Sequence, residues 1–444
     1  MRPCRYIRRF IIVLLLASIL PRTANPQDST IDQRIDHLLA RMTLEEKVGQ
    51  LVQYSGFNED LAVAIREGGI GSLLNLTGAE NTNRVQRIAV EESRLGIPLL
   101  FGLDVIHGYR TIFPIPLATA SSWDPDLVTA IEAIAAREAR ASGVHWTFAP
   151  MVDIARDPRW GRIIEGAGED PYLGAVMAAA RVRGFQGANI AAPDRVLACL
   201  KHYVAYGEPV GGRDYNSVDM SERKLREVYL PPFKAGVDAG AGSLMSGFNL
   251  LNGVPTTANK FTINRILRSE WGFDGFIVSD WNSVGELITH GFAADGPDAA
   301  RLALEATVDM DMAGSIYSNH LADLVRSGVV AESSLDESVR RVLRAKFMLG
   351  LFDNPYVDPA TEAAVILHDD HLAAARDAAR KSMVLLKNEG ALLPLSDDIG
   401  SIAVIGPLAD NPSDLLGAWH ALGRPQDAVT ALTGIRNRAG PSTA

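Results

Sequence analysis

Apolar positions along the chain alternate between two patterns. Short runs that are apolar on both faces recur at 48–55, 70–76, 97–104, 144–154, 196–204, 242–249, 275–280 and 308–312. Strands of a parallel sheet covered on both sides read this way. Between them, 125–141, 221–239 and 299–306 repeat apolar residues at helical spacing. Eight strands with intervening helices predict a (β/α)8 barrel of the TIM type over 28–352. A doubly wound open sheet would give the same alternation, so both remain open at this level.

The pattern changes beyond the barrel. Residues 353–390 read as a linker, polar and Pro/Asp-containing at 353–359 and helical at 371–386. Residues 401–405 (Ser-Ile-Ala-Val-Ile) carry a fresh strand signal before Pro407, which predicts the start of a second α/β domain over 391–444. About 40 residues after that strand are too few for an α/β sheet with its own core. The expectation is therefore an incomplete α/β sandwich domain.

Composition narrows the class. Of 444 residues, 47% are hydrophobic and 22% charged, as in a globular enzyme. A net charge of −10 excludes a general nucleic-acid binder, which needs a basic face. Residues 1–27 hold five arginines and no acid around an apolar run at 10–20, and so read as a secretory signal. Its cleavage site is poor, because Arg22 stands where a small residue is expected, and a retained anchor is the competing reading. A signal implies a periplasmic or secreted protein with no stable membrane partner once it is removed. Cys4 would leave with the signal, and Cys199 then stands alone in an apolar stretch, as a buried small hydrophobe does. No metal-ligand spacing and no phosphate loop or dinucleotide fingerprint appears, so no cofactor is expected.

What remains is carboxylates, cations and aromatics at strand ends. Asp104, His202, Asn249 and Asp280 close predicted strands, and strand C-termini line the mouth of a barrel. Asp280, followed by Trp281, suits attack on an anomeric carbon while a sugar stacks on the indole. Its structural alternative is a helix N-cap, shared with Ser279, for a helix starting near Ser283. Lys201-His202 is costly in an apolar run unless both side chains reach a polar cavity. The pair would bind hydroxyls and supply positive potential. Asp104 would anchor sugar hydroxyls. Of the arginines in the charged segment 156–162, Arg156 is the one expected to reach the mouth.

Together these stretches resemble glycoside hydrolase family 3, and within it the bacterial periplasmic β-glucosidases. The resemblance runs from about Met42 onward. It is carried by Met42–Leu51 (MTLEEKVGQL), Asp104–Gly108 (DVIHG), Ala149–Asp153 (APMVD), Arg156–Arg162 (RDPRWGR), Lys201–Tyr203 (KHY), Asn252–Pro255 (NGVP), Trp271–Gly275 (WGFDG), Val278–Trp281 (VSDW) and Ala379–Asn388 (ARKSMVLLKN). The resemblance implies a retaining, exo-acting β-glycosidase that releases terminal β-D-glucosyl residues from oligosaccharides or aryl β-glucosides. Asp280 matches the family nucleophile. Asp104, Arg156, Lys201 and His202 match residues holding the sugar, and Met245 and Trp281 match positions lining the pocket. Arg156, Lys201 and His202 are expected to lower the pKa of Asp280. The family's acid/base glutamate usually lies further into the second domain than this chain reaches, which leaves Glu286 as a substitute donor or a structural residue. No histidine follows His202 in the loop 203–219, which disfavours an N-acetylglucosaminidase. A β-xylosidase, or a catalytically impaired sugar-binding remnant, stays open.

Overall fold

The computed structural model describes residues 26–396, 398–439 and 443–444. The expected signal over 1–27 lies outside this set, apart from Pro26 and Gln27, which open the helix Pro26–Leu39.

Eight parallel strands form the barrel: β1 Val52–Ser55, β2 Ser72–Leu74, β3 Leu100–Leu103, β4 Trp146–Thr147, β5 Cys199–Tyr203, β6 Ser243–Ser246, β7 Phe276–Val278 and β8 Asp311–Met312. Five pair in the order β8-β1-β2-β3-β4 and three in the order β5-β6-β7. Parallel bridges at Trp146↔Leu197 and Met151↔Lys201 join β4 to β5, and Val278↔Met310 joins β7 to β8. These contacts close the ring, which decides for the barrel against the open sheet.

Local sequence explains the better-predicted helices. Asp124 and Asp170 each accept the backbone N–H three residues on, and proline follows each, so Pro125–Ala141 and Pro171–Gln186 start cleanly. Strand extents are shorter than expected. Thr43 and Glu46 form a reciprocal capping box, so Leu44–Gln50 is helix and β1 starts only at Val52. The 144–154 run is strand at Trp146–Thr147 alone. The barrel interior is filled by aromatics. Trp146 is fully buried, sits edge-on to Phe148 and Phe276 at 4.7 and 4.8 Å, and donates Nε1–H to Ser243 Oγ at 2.8 Å.

The C-terminal stretch corrects one expectation. Residues 401–405 form no strand. Among the described residues, the backbone bonds Ile402 N–H to Ala444 O and Ala444 N–H to Gly400 O, with Thr443 Oγ1–H to Ile399 O, hold that region to its neighbour. The helix expected over 371–386 runs Asp369–Lys381, and beyond it Met383, Leu386 and Ile405 are 77%, 92% and 91% exposed. One part of this stretch does dock on the barrel. Leu422 N–H donates to Tyr109 O at 2.8 Å, and Arg110 pairs with Asp427. Among the described residues no helix is long and apolar enough to cross a membrane.

Candidate active site

Three strand ends deliver the mouth. Asp104 directly follows β3, Lys201 and His202 lie in β5, and Asp280 follows β7 after Ser279. Alternation along a regular strand would send Lys201 and His202 to opposite faces. Here the register of β5 against β6 shifts between Leu200 and Tyr203. Lys201 Nζ donates to Asp104 Oδ1 at 2.6 Å, while His202 Nε2 lies 3.6 Å from Asp280 Oδ2.

Asp280 is not a helix cap. The next helix is Glu286–Thr289. Asp280 Oδ1 instead accepts its neighbour's N–H, from Trp281 at 2.7 Å, and Ser279 Oγ accepts Met312 N–H at 2.9 Å. The other oxygen of Asp280, Oδ2, is buried and has no hydrogen-bond partner. Burial pushes this carboxyl up to about 7, against the pull of Lys201, the Trp281 N–H and Arg162, and Asp104 adds to the rise.

That reverses the expected lowering. Of the three groups thought to depress this pKa, Lys201 is the one that opposes burial most. His202 carries no charge, because burial, then Arg162 and Lys201, hold its imidazole well below the usual range. Its Nε2 accepts from Arg162 Nη2 at 2.9 Å, so the proton sits on Nδ1 and is donated to Asp153 Oδ2 at 2.9 Å. The same Asp153 oxygen accepts the His202 backbone N–H at 2.8 Å. Burial raises Asp153 to about 7 as well.

Arg156 is nearly half exposed, and its guanidinium pairs with Glu208 at 2.7 Å. The arginine whose field reaches Asp280 is Arg162, against the expectation that Arg156 alone would extend there. The turn Gly161–Glu165 folds Arg162 back over the mouth, where Glu165 holds its Nε at 2.6 Å. Met245 is buried in β6 in register with Val278, and Trp281 stands 49% exposed beside the nucleophile candidate. Glu286 opens its helix, and burial raises its carboxyl, opposed by His290.

Sequence reasoning gave no role to three residues: Asp153, Arg162 and Trp419. Asp153 stands in the quoted 149–153 run, but that run stops being strand after Thr147, which hid its direction. Trp419 comes from the docked C-terminal stretch, and Lys201 Nζ lies 5.5 Å from its ring centre. Next to it, Ala418 O lies 2.7 Å from His107 Nε2. The mouth therefore presents one buried carboxylate beside a Lys–Asp pair and a neutral, doubly anchored imidazole. Two half-exposed indoles, Trp281 and Trp419, flank this group. Such a set can bind vicinal hydroxyls, stack a pyranose and attack an electrophilic carbon.

Comparison with known proteins identifies the family. Residues 43–345 match the glycosyl hydrolase family 3 N-terminal domain, and 383–443 match its C-terminal domain. The chain belongs to glycoside hydrolase family 3. It is 44% identical over 423 residues to a periplasmic β-glucosidase of Salmonella typhimurium, covering 92% of this chain and 54% of that one. A β-xylosidase of Formosa agariphila is 38% identical, covering 96% of this chain and 59% of the relative. Among solved structures, a Listeria innocua β-glucosidase in complex with isofagomine superposes with a TM-score of 0.86 at 40% identity, covering 91% of this chain and 58% of the other. The chain thus spans a little over half the length of the relatives it matches.

Proposed function

We propose that this chain carries the glycone site and nucleophile of a retaining, exo-acting β-glucosidase that works in the periplasm or outside the cell. The observation that carries the reading is the Asp280 carboxylate, set at a strand end with one oxygen unpartnered and cations close by. Asp280 attacks the anomeric carbon as the glycosidic C1–O bond breaks and the aglycone departs with that electron pair, to be protonated by solvent or an acid. Water then adds at C1, breaks the glycosyl–Asp280 ester and releases the sugar. Asp104 and Lys201 take hydroxyls, with Arg156 at the rim. His202, whose Nε2 accepts from Arg162, lines the pocket and holds that guanidinium over it. Met245, Trp281 and Trp419 give the sugar its apolar walls. Terminal β-D-glucosyl groups of oligosaccharides or aryl glucosides are the proposed substrates.

The general acid is a separate question. Asp104, Glu165 and Glu208 are each held by a cation, and Asp153 lies under His202. None is presented as a proton donor. Glu286 supports its own helix in this reading. Acid assistance is worth about 10²–10⁴-fold and matters least for a good leaving group. An activated aryl glucoside should therefore glycosylate Asp280 while cellobiose reacts slowly. Brisk cellobiose turnover would show that a donor is at hand after all.

The decisive test is intact mass after incubation with an activated 2-fluoro-glucoside. One sugar should add per chain, and none in Asp280→Asn. An undiminished adduct in that variant would overturn the assignment. The β-xylosidase relative supports a second arm with the 2-fluoro-xyloside. Faster labelling by the xylo sugar would reassign the substrate and leave the mechanism standing.

A further inference from the structure

A second polar cluster lies at the opposite, closed end of the barrel. Five lysines and arginines are buried among the described residues: Lys47, Arg140, Arg181, Lys201 and Lys346. Three of them face carboxylates. Lys47 pairs with Glu332 and Asp336, Arg181 with Glu132 at 3.6 Å, and Lys201 with Asp104. Arg140 and Lys346 have no carboxylate within ion-pair distance among the described residues.

These two cations come from different helices and converge. Arg140 ends Pro125–Ala141, and its Nη2 makes one long bond, 3.5 Å, to Leu349 O. Leu349 caps the helix Glu332–Met348 that carries Lys346. Lys346 Nζ donates once, to Gln50 Oε1 at 2.6 Å just before β1, leaving two protons unspoken for. His145, immediately before β4, is buried, and the charges of both Arg140 and Lys346 add to burial in holding its imidazole well below the usual range. Its Nδ1 accepts Phe101 N–H at 3.3 Å, so in the neutral ring the other nitrogen is the donor. Arg140 Nη1 is buried with no hydrogen-bond partner.

Three sets of donors are therefore buried here, and the acceptors that Arg140 and Lys346 reach among the described residues are one side-chain amide and one distant carbonyl. Buried charge is tolerated when it is paired, and unpaired charge is among the costliest features a fold can hold. Burial alone drives Lys346 down to about 7 and Arg140 to about 10, with no carboxylate opposing it. A phosphate-sized ion does not suit a group enclosed this tightly, where Lys346 and His145 are 0% and 1% exposed.

We propose that Arg140, Lys346 and His145 form a binding site for a small monovalent anion of chloride size, at the pole of the barrel opposite Asp280. The bound anion accepts from Arg140 Nη1, the free Lys346 protons and the His145 Nε2–H. It holds Lys346 in its charged form and ties the last barrel helix to β1 and β4.

The test uses the whole chain in sodium chloride or sodium gluconate at equal ionic strength. Ligand linkage predicts a melting temperature that climbs with chloride, by about 2 °C or more between trace and saturating anion. Bromide should do the same, and sulfate should not. Chloride NMR lines should broaden with the chain present and sharpen again when bromide is added. Lys346→Met keeps the side-chain volume and removes the charge. It should abolish the chloride-specific rise and the broadening. Arg140→Met should do likewise, and if that variant does not fold, the Lys346 variant carries the decision. A melting temperature equal in chloride and gluconate, or a chloride response unchanged in Lys346→Met, would overturn the site. Neither readout depends on glycosidase activity.

Discussion

Asp280 meets two demands that pull its charge in opposite directions. A nucleophile must be ionised, yet burial raises this carboxyl to about 7. The rate of Asp280 labelling should therefore rise with pH along a limb centred near 7 and level off above it. Lys201 is the largest force favouring the anion, so Lys201→Met should move that limb upward. The same shift bears on stability. Because the folded-state value lies above the unfolded one, the stability that protonated Asp280 lends is full below about pH 4 and lost as pH rises through about 7. Asp280→Asn should accordingly melt higher than the parent at pH 8, by roughly 1–3 kcal/mol, and show little difference at pH 4. Calorimetry at the two pH values checks the sign. Asp153→Ala is expected to cost about 1–3 kcal/mol by stranding the His202 donors, and to slow labelling. Asp104, Lys201, His202 and Asp280 were legible in the sequence because each ends an apolar run. Arg162 was not, because its reach depends on a turn that folds it back, which spacing from β4 cannot show.

Elements were legible where local chemistry and hydrophobic pattern agree. Pro125–Ala141 carries its own cap, proline and apolar stripe, and its bounds came out as read. Runs without such punctuation were misjudged. The 48–55 run hides a helix end and a strand start, and the 144–154 run contains Pro150, which has no N–H to give a ladder. The boundary between Leu44–Gln50 and β1 also explains a close approach. A Cβ on Gly49 would sit 2.0 Å from Gly68 O and 2.7 Å from Gly69 Cα, both backbone atoms that cannot step aside. Gly49→Ala should destabilise the barrel by more than about 2 kcal/mol, measurable as a lower urea midpoint. Trp146→Ala should cost about 3–5 kcal/mol, since it removes a buried ring and one of the two hydrogen bonds of the Ser243 hydroxyl, which still donates to Ala198 O.

At the scale of the molecule, two regions behave differently. The barrel is closed on its own core, whereas Met383, Leu386 and Ile405 lie open to solvent on the C-terminal stretch. The 401–405 pattern was legible as apolar, but pattern alone does not supply the neighbours that turn such a run into a strand. Large apolar side chains this exposed favour association. A Leu386→Lys/Ile405→Lys double variant should scatter less light at high concentration while melting at the parent's temperature. Ring closure has a different consequence, in time rather than space. The bond pattern that seals the barrel pairs Val52 with Asp311, so the first strand made waits for the last. At about 5–20 residues per second of synthesis, β1 keeps one open edge for some 10–50 s while the growing chain leaves the ribosome. The barrel's order of manufacture thus assigns its greatest exposure to helpers and to misfolding to its oldest strand.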